Sequence, residues 1–216
     1  MNILEIIKND DSLVKNFKHF FDIELLENKQ VFSGGSSKYN IEGTIIFMSS
    51  SDSSNNFKYI LLDDNSVAFC DADYGTGGRI AESINEFFEM LISIPEWKKF
   101  TYLGLYRDDK LLNKYIKKVE SKSKYRSSEY KEFQNELFKK LSINFIDKIQ
   151  LLKKFYFSAT REPKWTVTYF DGNKGWISEE QQILSSESKG WVTEELILID
   201  MNIIENKKEE RKFLGL

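Results

Sequence analysis

Residues 57–97 read FKYILLDDNSVAFCDADYGTGGRIAESINEFFEMLISIPEW. Residues 57–62 and 67–70 are rich in aromatic and β-branched side chains, which suit a pleated, half-buried surface, so both predict strands. Asp63-Asp64-Asn65 between them is turn chemistry, because short polar side chains bond their own backbone and tolerate left-handed geometry. Tyr74-Gly75-Thr76-Gly77-Gly78-Arg79 predicts a glycine loop that swings the chain from sheet to helix. Ile80, Ile84, Phe87, Phe88 and Leu91 then recur at i, i+4, i+7, i+8 and i+11, the single apolar stripe of a core helix. Glu82, Asn85, Glu86 and Glu89 cover the other face as solvated positions. The helix must stop before Pro95, since the residue ahead of a proline is pushed out of the α region. A glycine loop opening a helix can cradle phosphate. Here the loop lacks the Lys-Ser/Thr ending of a P-loop and does not fit GxGxxG, so it reads as a pivot.

Upstream, residues 44–48 predict another strand and the polar residues 49–56 a loop, which makes an antiparallel meander. Residues 1–28 predict helix. Asp10, Asp11 and Ser12 supply capping oxygens, and Leu13, Phe17, Phe20 and Phe21 face a core. Gly34 and Gly35 mark a break. Downstream, residues 108–157 are strongly helical, with three apolar stripes. The first holds Leu111, Leu112, Tyr115, Ile116 and Val119. The second holds Tyr130, Phe133, Leu137, Phe138 and Leu141, and the third Phe145, Ile146, Ile149, Leu152 and Tyr156. Residues 165–170 alternate, residues 171–175 (DGNKG) turn, and Trp176-Ile177-Ser178 resumes, a hairpin signal. Residues 195–204 predict a further strand, residues 207–212 a solvated charged end, and Trp165, Trp176 and Trp191 a shared cluster. The pattern predicts an α+β fold: an antiparallel sheet packed by helices, with a helical insertion and a C-terminal β extension. Residues 1–104 form the core unit. Residues 105–216 add the helical segment and hairpin, either separate from that core or continuous with it.

The chain has 216 residues, 41% of them hydrophobic and 14% aromatic, which supports a packed core rather than a disordered chain. Net charge is −3, so the total lacks the basic footprint of a nucleic-acid binder. The excess of Lys and Arg over residues 107–126 reads as a solvated helix face whose aliphatic stems cover apolar surface. A single cysteine, Cys70, excludes an internal disulfide. The N-terminus lacks a basic segment followed by an apolar run, and no apolar stretch approaches ~18 residues, so neither a signal peptide nor a membrane span is expected. These features predict a cytoplasmic protein.

No catalytic constellation stands out. His19 is the only histidine, which leaves no second imidazole for a triad or a metal site. Asp63, Asp64, Asp71 and Asp73 cluster with no basic residue between Leu61 and Asp73. They lack the alternating oxygens, central glycine and terminal glutamate of a calcium loop. Two readings remain: acidic strand ends in water, or an acidic patch that meets a basic partner.

The segment Arg79-Ile80-Ala81-Glu82-Ser83-Ile84-Asn85-Glu86-Phe87-Phe88-Glu89-Met90-Leu91, preceded by strand, turn and strand, resembles the SUKH superfamily. That family includes bacterial immunity proteins and a yeast regulator of cell-wall synthesis. Its helix follows the pattern ΦA-x-S-Φ-x-E-F-Φ, with Φ apolar, which Ile80-Ala81, Ser83-Ile84 and Glu86-Phe87-Phe88 match position by position. Ser33-Gly34-Gly35 is similar to the family's small-residue segment before the first sheet strands. The resemblance covers residues 10–97 and is that of a divergent member, since the family's N-terminal Leu-Pro-aromatic element is missing. It implies a mixed α+β fold and a non-catalytic binding role without cofactor or metal. The implied partner is a cognate protein toxin, such as a nuclease, rather than nucleic acid or membrane. A regulatory or scaffold module of the same fold is the alternative. Asp63, Asp64, Asp71 and Asp73 are the candidate partner contacts.

Overall fold

Asp10 and Asp22 bound the first long helix. In a computed structural model that describes residues 3–30, 39–40, 45–51, 57–71, 76–171, 175–180 and 182–186, a short helix α1 (Ile3–Lys8) precedes α2 (Asp11–Phe21). The Asp10 carboxylate accepts the backbone N–H groups of Ser12 and Leu13 and caps α2. The expectation of helix through residue 28 is corrected here. Asp22 adopts left-handed geometry (φ 57°) and its N–H closes the last turn on the Lys18 carbonyl. The chain leaves α2 at that point as strand β1 (Ile23–Gln30).

The meander is present. β1 is followed by β2 (Tyr39–Asn40), β3 (Ile45–Ser50), β4 (Phe57–Leu61), β5 (Val67–Asp71) and β6 (Thr76–Ala81). β1, β3, β4, β5 and β6 form one antiparallel sheet in the order β1-β3-β4-β5-β6. β5 is buried along its whole length because both faces of the sheet are covered. Phe57, Tyr59, Val67 and Phe69 point into the main core, while Ile60, Leu62, Ala68 and Cys70 pack with Trp165 on the opposite face.

The glycine loop is a second correction. Gly77 and Gly78 lie inside β6, opposite Cys70 and Phe69. Helix α3 (Ile84–Ser93) begins only after Ser83, whose hydroxyl accepts the Glu86 N–H at 3.2 Å. Ile80 therefore belongs to the strand. Its spacing of four from Ile84 imitates a helical stripe because both side chains reach the same core.

Two 3₁₀ turns, Trp97–Phe100 and Leu103–Arg107, lead to α4 (Asp109–Lys122), α5 (Ser128–Lys140) and α6 (Lys148–Thr160). The first two stripes expected for this region bury as whole faces, apart from a half-buried Phe138. The third is corrected. Phe145 precedes α6 and is 72% exposed, whereas α6, capped by Asp147, buries Leu151, Leu152, Phe155, Ser158 and Ala159. The hairpin is β7 (Thr166–Asp171) with β8 (Gly175–Glu180), joined by β2 in a second antiparallel sheet. Residues 195–204 and 207–212, Trp191 and the Trp176 side chain lie outside the described residues.

One core serves both halves of the chain. Phe133 of α5 stacks on Phe20 with ring centroids 4.9 Å apart, and Phe155 of α6 meets Trp97 at 5.8 Å. No helix among the described residues is long and apolar enough to cross a membrane.

Lys98 gives this core a pH signature. Its ammonium sits 3.9 Å from the centroid of Phe57, 4.6 Å from that of Phe69 and 4.0 Å from the buried Asp71 carboxylate. Burial lowers its pKa from 10.5 to about 8, against the opposing pull of Asp71. Above pH 8 the unfolded chain holds this proton more tightly than the folded chain, so the group's contribution to stability rises with pH up to 10.5. Cys70, whose thiol burial pushes up to about 12, works in the opposite direction once the unfolded thiol ionises. A difference measurement separates the two. Between pH 7.5 and 9.5, urea unfolding of the wild type should gain roughly 1–2 kcal/mol relative to Lys98→Met. Parallel curves for the two proteins would remove Lys98 as the source.

Candidate functional site

The β4–β5 hairpin decides where the four sequence-predicted acids go. Asp63 and Asp64 occupy its turn, where Asn65 takes left-handed geometry (φ 64°) and Asp64 accepts the Ser66 N–H at 3.0 Å. Asp71 lies at the far end of β5, paired with Phe57, and is 4% exposed. The five residues of β5 rise about 3.3 Å each, which keeps Asp71 well away from the turn. Asp73 lies outside the described residues. The structure thus brings Asp63 and Asp64 together and separates both from Asp71.

Asp64 is engaged within the chain. Partial burial works to raise its carboxyl pKa, but hydrogen bonds from Ser66 and Arg161 outweigh that and leave it below the usual range. Arg161 bridges Asp64 and Glu82, and Arg79 lies 3.6 Å from Asp64. This ladder ties the hairpin turn to the start of α3.

Beyond Glu82 the surface sinks into an open hollow of about 380 Å³, lined by Glu82, Glu86, Gln150, Lys153, Lys154 and Phe157. α3 supplies the Glu86 carboxylate and α6 the opposite wall. Lys153 pairs with Asp109 at 2.6 Å and Lys154 with Glu89 at 3.6 Å. Glu82 is satisfied on one oxygen by Arg161. Its other oxygen, like one oxygen of Glu86, is buried with no hydrogen-bond partner among the described residues. Burial raises the Glu86 pKa, with Lys154 opposing and Glu82 and Glu89 adding to the rise. Beside these carboxylates Phe157 is 62% exposed. A half-buried carboxylate beside an exposed ring suits an incoming ammonium or guanidinium group, which can pair with the acid and lie on the ring face.

Sequence reasoning missed Glu82, Glu86 and Phe157. The two glutamates read as a solvated helix face, and it is α6, about seventy residues later, that half-buries Glu86. One signal was available: Phe157 falls out of phase with Leu152 and Phe155 on a helix with a single buried face.

The remaining sequence candidates sit apart from this hollow. His19 is exposed on α2 against the Phe20 ring, and Cys70 is buried on β5. The basic residues of α4 cover its solvent side while Leu111, Leu112, Tyr115, Ile116 and Val119 pack inward. Among the described residues no group of three or more His, Cys, Asp or Glu is placed to hold a metal ion. Compared with protein-family models, curated proteins and solved structures, the chain matches none.

Proposed function

We propose that this chain is a binding protein of the immunity type, which neutralises a cognate protein toxin by occupying it. Two things support the reading. One is the resemblance carried by Ile80-Ala81, Ser83-Ile84 and Glu86-Phe87-Phe88. The other, which carries it at the surface, is the hollow that the half-buried Glu86 carboxylate, one oxygen of which has no hydrogen-bond partner among the described residues, lines together with the exposed Phe157. A toxin domain with a basic surface, such as a nuclease, would place an arginine or lysine there. Charge complementarity would speed the encounter, and the aromatic ring would anchor it. Asp63, exposed at the neighbouring turn, would be a rim contact with a smaller share of the energy.

The experiment is co-expression with the toxic protein encoded beside this gene, followed by titration of the purified pair. Glu86→Gln and Phe157→Ala should each weaken binding about ten-fold or more. Because Glu86 is ionised at a cost in the free protein, Glu86→Gln should also leave stability unchanged or raise it by roughly 0.5 kcal/mol. A neighbour whose toxicity is not relieved would refute the immunity reading. Undiminished binding by both variants would refute the hollow as the contact.

A further inference from the structure

A second hollow, of about 400 Å³, lies between the end of α3, the last turns of α4 and the start of α5. It shares no lining residue with the hollow at Phe157. Its volume falls in the range of sites that enclose a small organic molecule. Ile94, Phe100, Ile116 and Val119 make its apolar walls, and the rings of Tyr125 and Tyr130, with centroids 4.9 Å apart, line it with them.

The polar groups of this hollow are unevenly satisfied. The Ile92 carbonyl accepts both the Tyr130 hydroxyl and the Gln134 amide, each at 2.8 Å. That holds the Gln134 side chain in place and leaves its carbonyl end for another partner. Ser93, on the wall beside it, is 2% exposed and its hydroxyl has no hydrogen-bond partner among the described residues. A buried hydroxyl left alone costs free energy, and a ligand atom that met it would recover that cost.

The charges at the rim do not cancel. Glu96 is taken by Lys99 and Glu120 by Lys148. Arg126 gives one N–H to the Ser121 carbonyl at 2.9 Å and has no acidic partner among the described residues. Lys131 has no ion pair among them either. Glu129 and Glu132, the nearest acids along α5, do not line the hollow. Among the described residues, two positive charges therefore stand without an ion pair at the mouth of an apolar, ring-lined space.

We propose that this hollow is a site for a small anionic ring compound. The ring lies among Phe100, Tyr125 and Tyr130. A hydrogen-bonding edge meets Gln134 and Ser93, and a phosphate or carboxylate rests on Arg126 and Lys131. Aromatic walls favour a planar body, and a guanidinium beside an ammonium favours a doubly accepting anion. The site is independent of toxin binding and can stand or fall without it.

Calorimetric titration of the full chain tests this. The probes are phenyl phosphate, benzoate and adenosine monophosphate. Phenol and adenosine serve as uncharged counterparts, and inorganic phosphate and acetate as bare ions. At least one ring anion should bind about ten-fold or more tightly than both its neutral counterpart and its bare ion. The preferred head group then separates phosphate from carboxylate. Arg126→Gln combined with Lys131→Gln changes only exposed side chains and should keep the unfolding midpoint. It should weaken the bound probe about ten-fold or more. The proposal is overturned if no ring anion binds, if a bare ion or a neutral ring binds as well, or if the double variant binds undiminished.

Discussion

Trp97→Ala should remove about 4 kcal/mol of folding free energy, the largest loss expected from any single truncation among the described residues. Trp97 is 1% exposed and sits on the 3₁₀ turn that follows Pro95. Its ring centroid lies 5.0 Å from Phe69, 5.8 Å from Phe155 and 6.5 Å from Tyr59. It therefore joins β4 and β5 of the sheet to α6. An aromatic side chain of this size buries about 150–250 Å². At about 25 cal/mol per Å² that sets an upper estimate of roughly 4–6 kcal/mol. The cavity would persist, because its walls are other rings held by strand and helix. Domains of this size hold only about 5–15 kcal/mol in all, so the variant should be near the limit of folding at 37 °C. Urea unfolding followed by far-UV circular dichroism measures the loss. Trp97→Phe should cost markedly less because most of the volume stays. Phe157→Ala should lie within ~0.5 kcal/mol of wild type because its ring is already in solvent. A Trp97→Ala loss below ~1.5 kcal/mol would mean that α6 does not rest on this ring.

The same packing explains what could be read from the residues alone. β4, the Asp63–Asn65 turn, β5, the buried Phe87, Phe88 and Leu91 of α3 and the β7–β8 hairpin follow from local chemistry, and local chemistry is what periodicity reports. The first two stripes of residues 108–157 were legible for the same reason. What escaped was set by distant partners. Asp22 ends α2 in a left-handed conformation that no periodicity announces, and β1 follows where helix was expected. β6 reads from sequence as a loop and helix start, because its glycines hide a strand that pairs with β5 and its Ile80 reaches the core that Ile84 also reaches. Phe145 precedes the helix whose stripe its spacing matches, so it points to solvent. At the candidate site, acids close in sequence read as one patch, yet a hairpin puts Asp63 and Asp64 at one end of β5 and Asp71 at the other. Glu86 gained its half-buried, partly unsatisfied state from a helix packed against it much later in the chain, and nothing near it in sequence records that.

Gly78→Ala should destabilise the fold by about 3 kcal/mol, far more than one added methyl usually costs. Gly78 has φ +153°, a backbone conformation that L side chains rarely adopt. A Cβ built there would lie 2.9 Å from the Ile183 backbone nitrogen, 3.2 Å from its Cβ and 3.3 Å from its Cγ2. The nearest atom is backbone, so no rotamer change relieves the clash. The segment cannot retreat cheaply either. Leu103 donates its N–H to the Ser185 carbonyl at 2.9 Å, Ser185 donates its own to Thr101 at 3.0 Å, and Ile183 is fully buried. The substitution must therefore strain β6 where it pairs with Phe69, or lift residues 182–186 from the sheet. Ile183→Ala in the same chain should give little rescue. It removes only the contact at 3.3 Å and leaves the closer two. Urea unfolding of the two single variants and the double variant should thus show costs that add to within ~0.5 kcal/mol. Limited proteolysis should find residues 182–186 cut faster in Gly78→Ala than in wild type. A cost below ~1 kcal/mol with unchanged proteolysis would place Ile183 elsewhere than over Gly78, since strain and clash at that position cannot both be cheap.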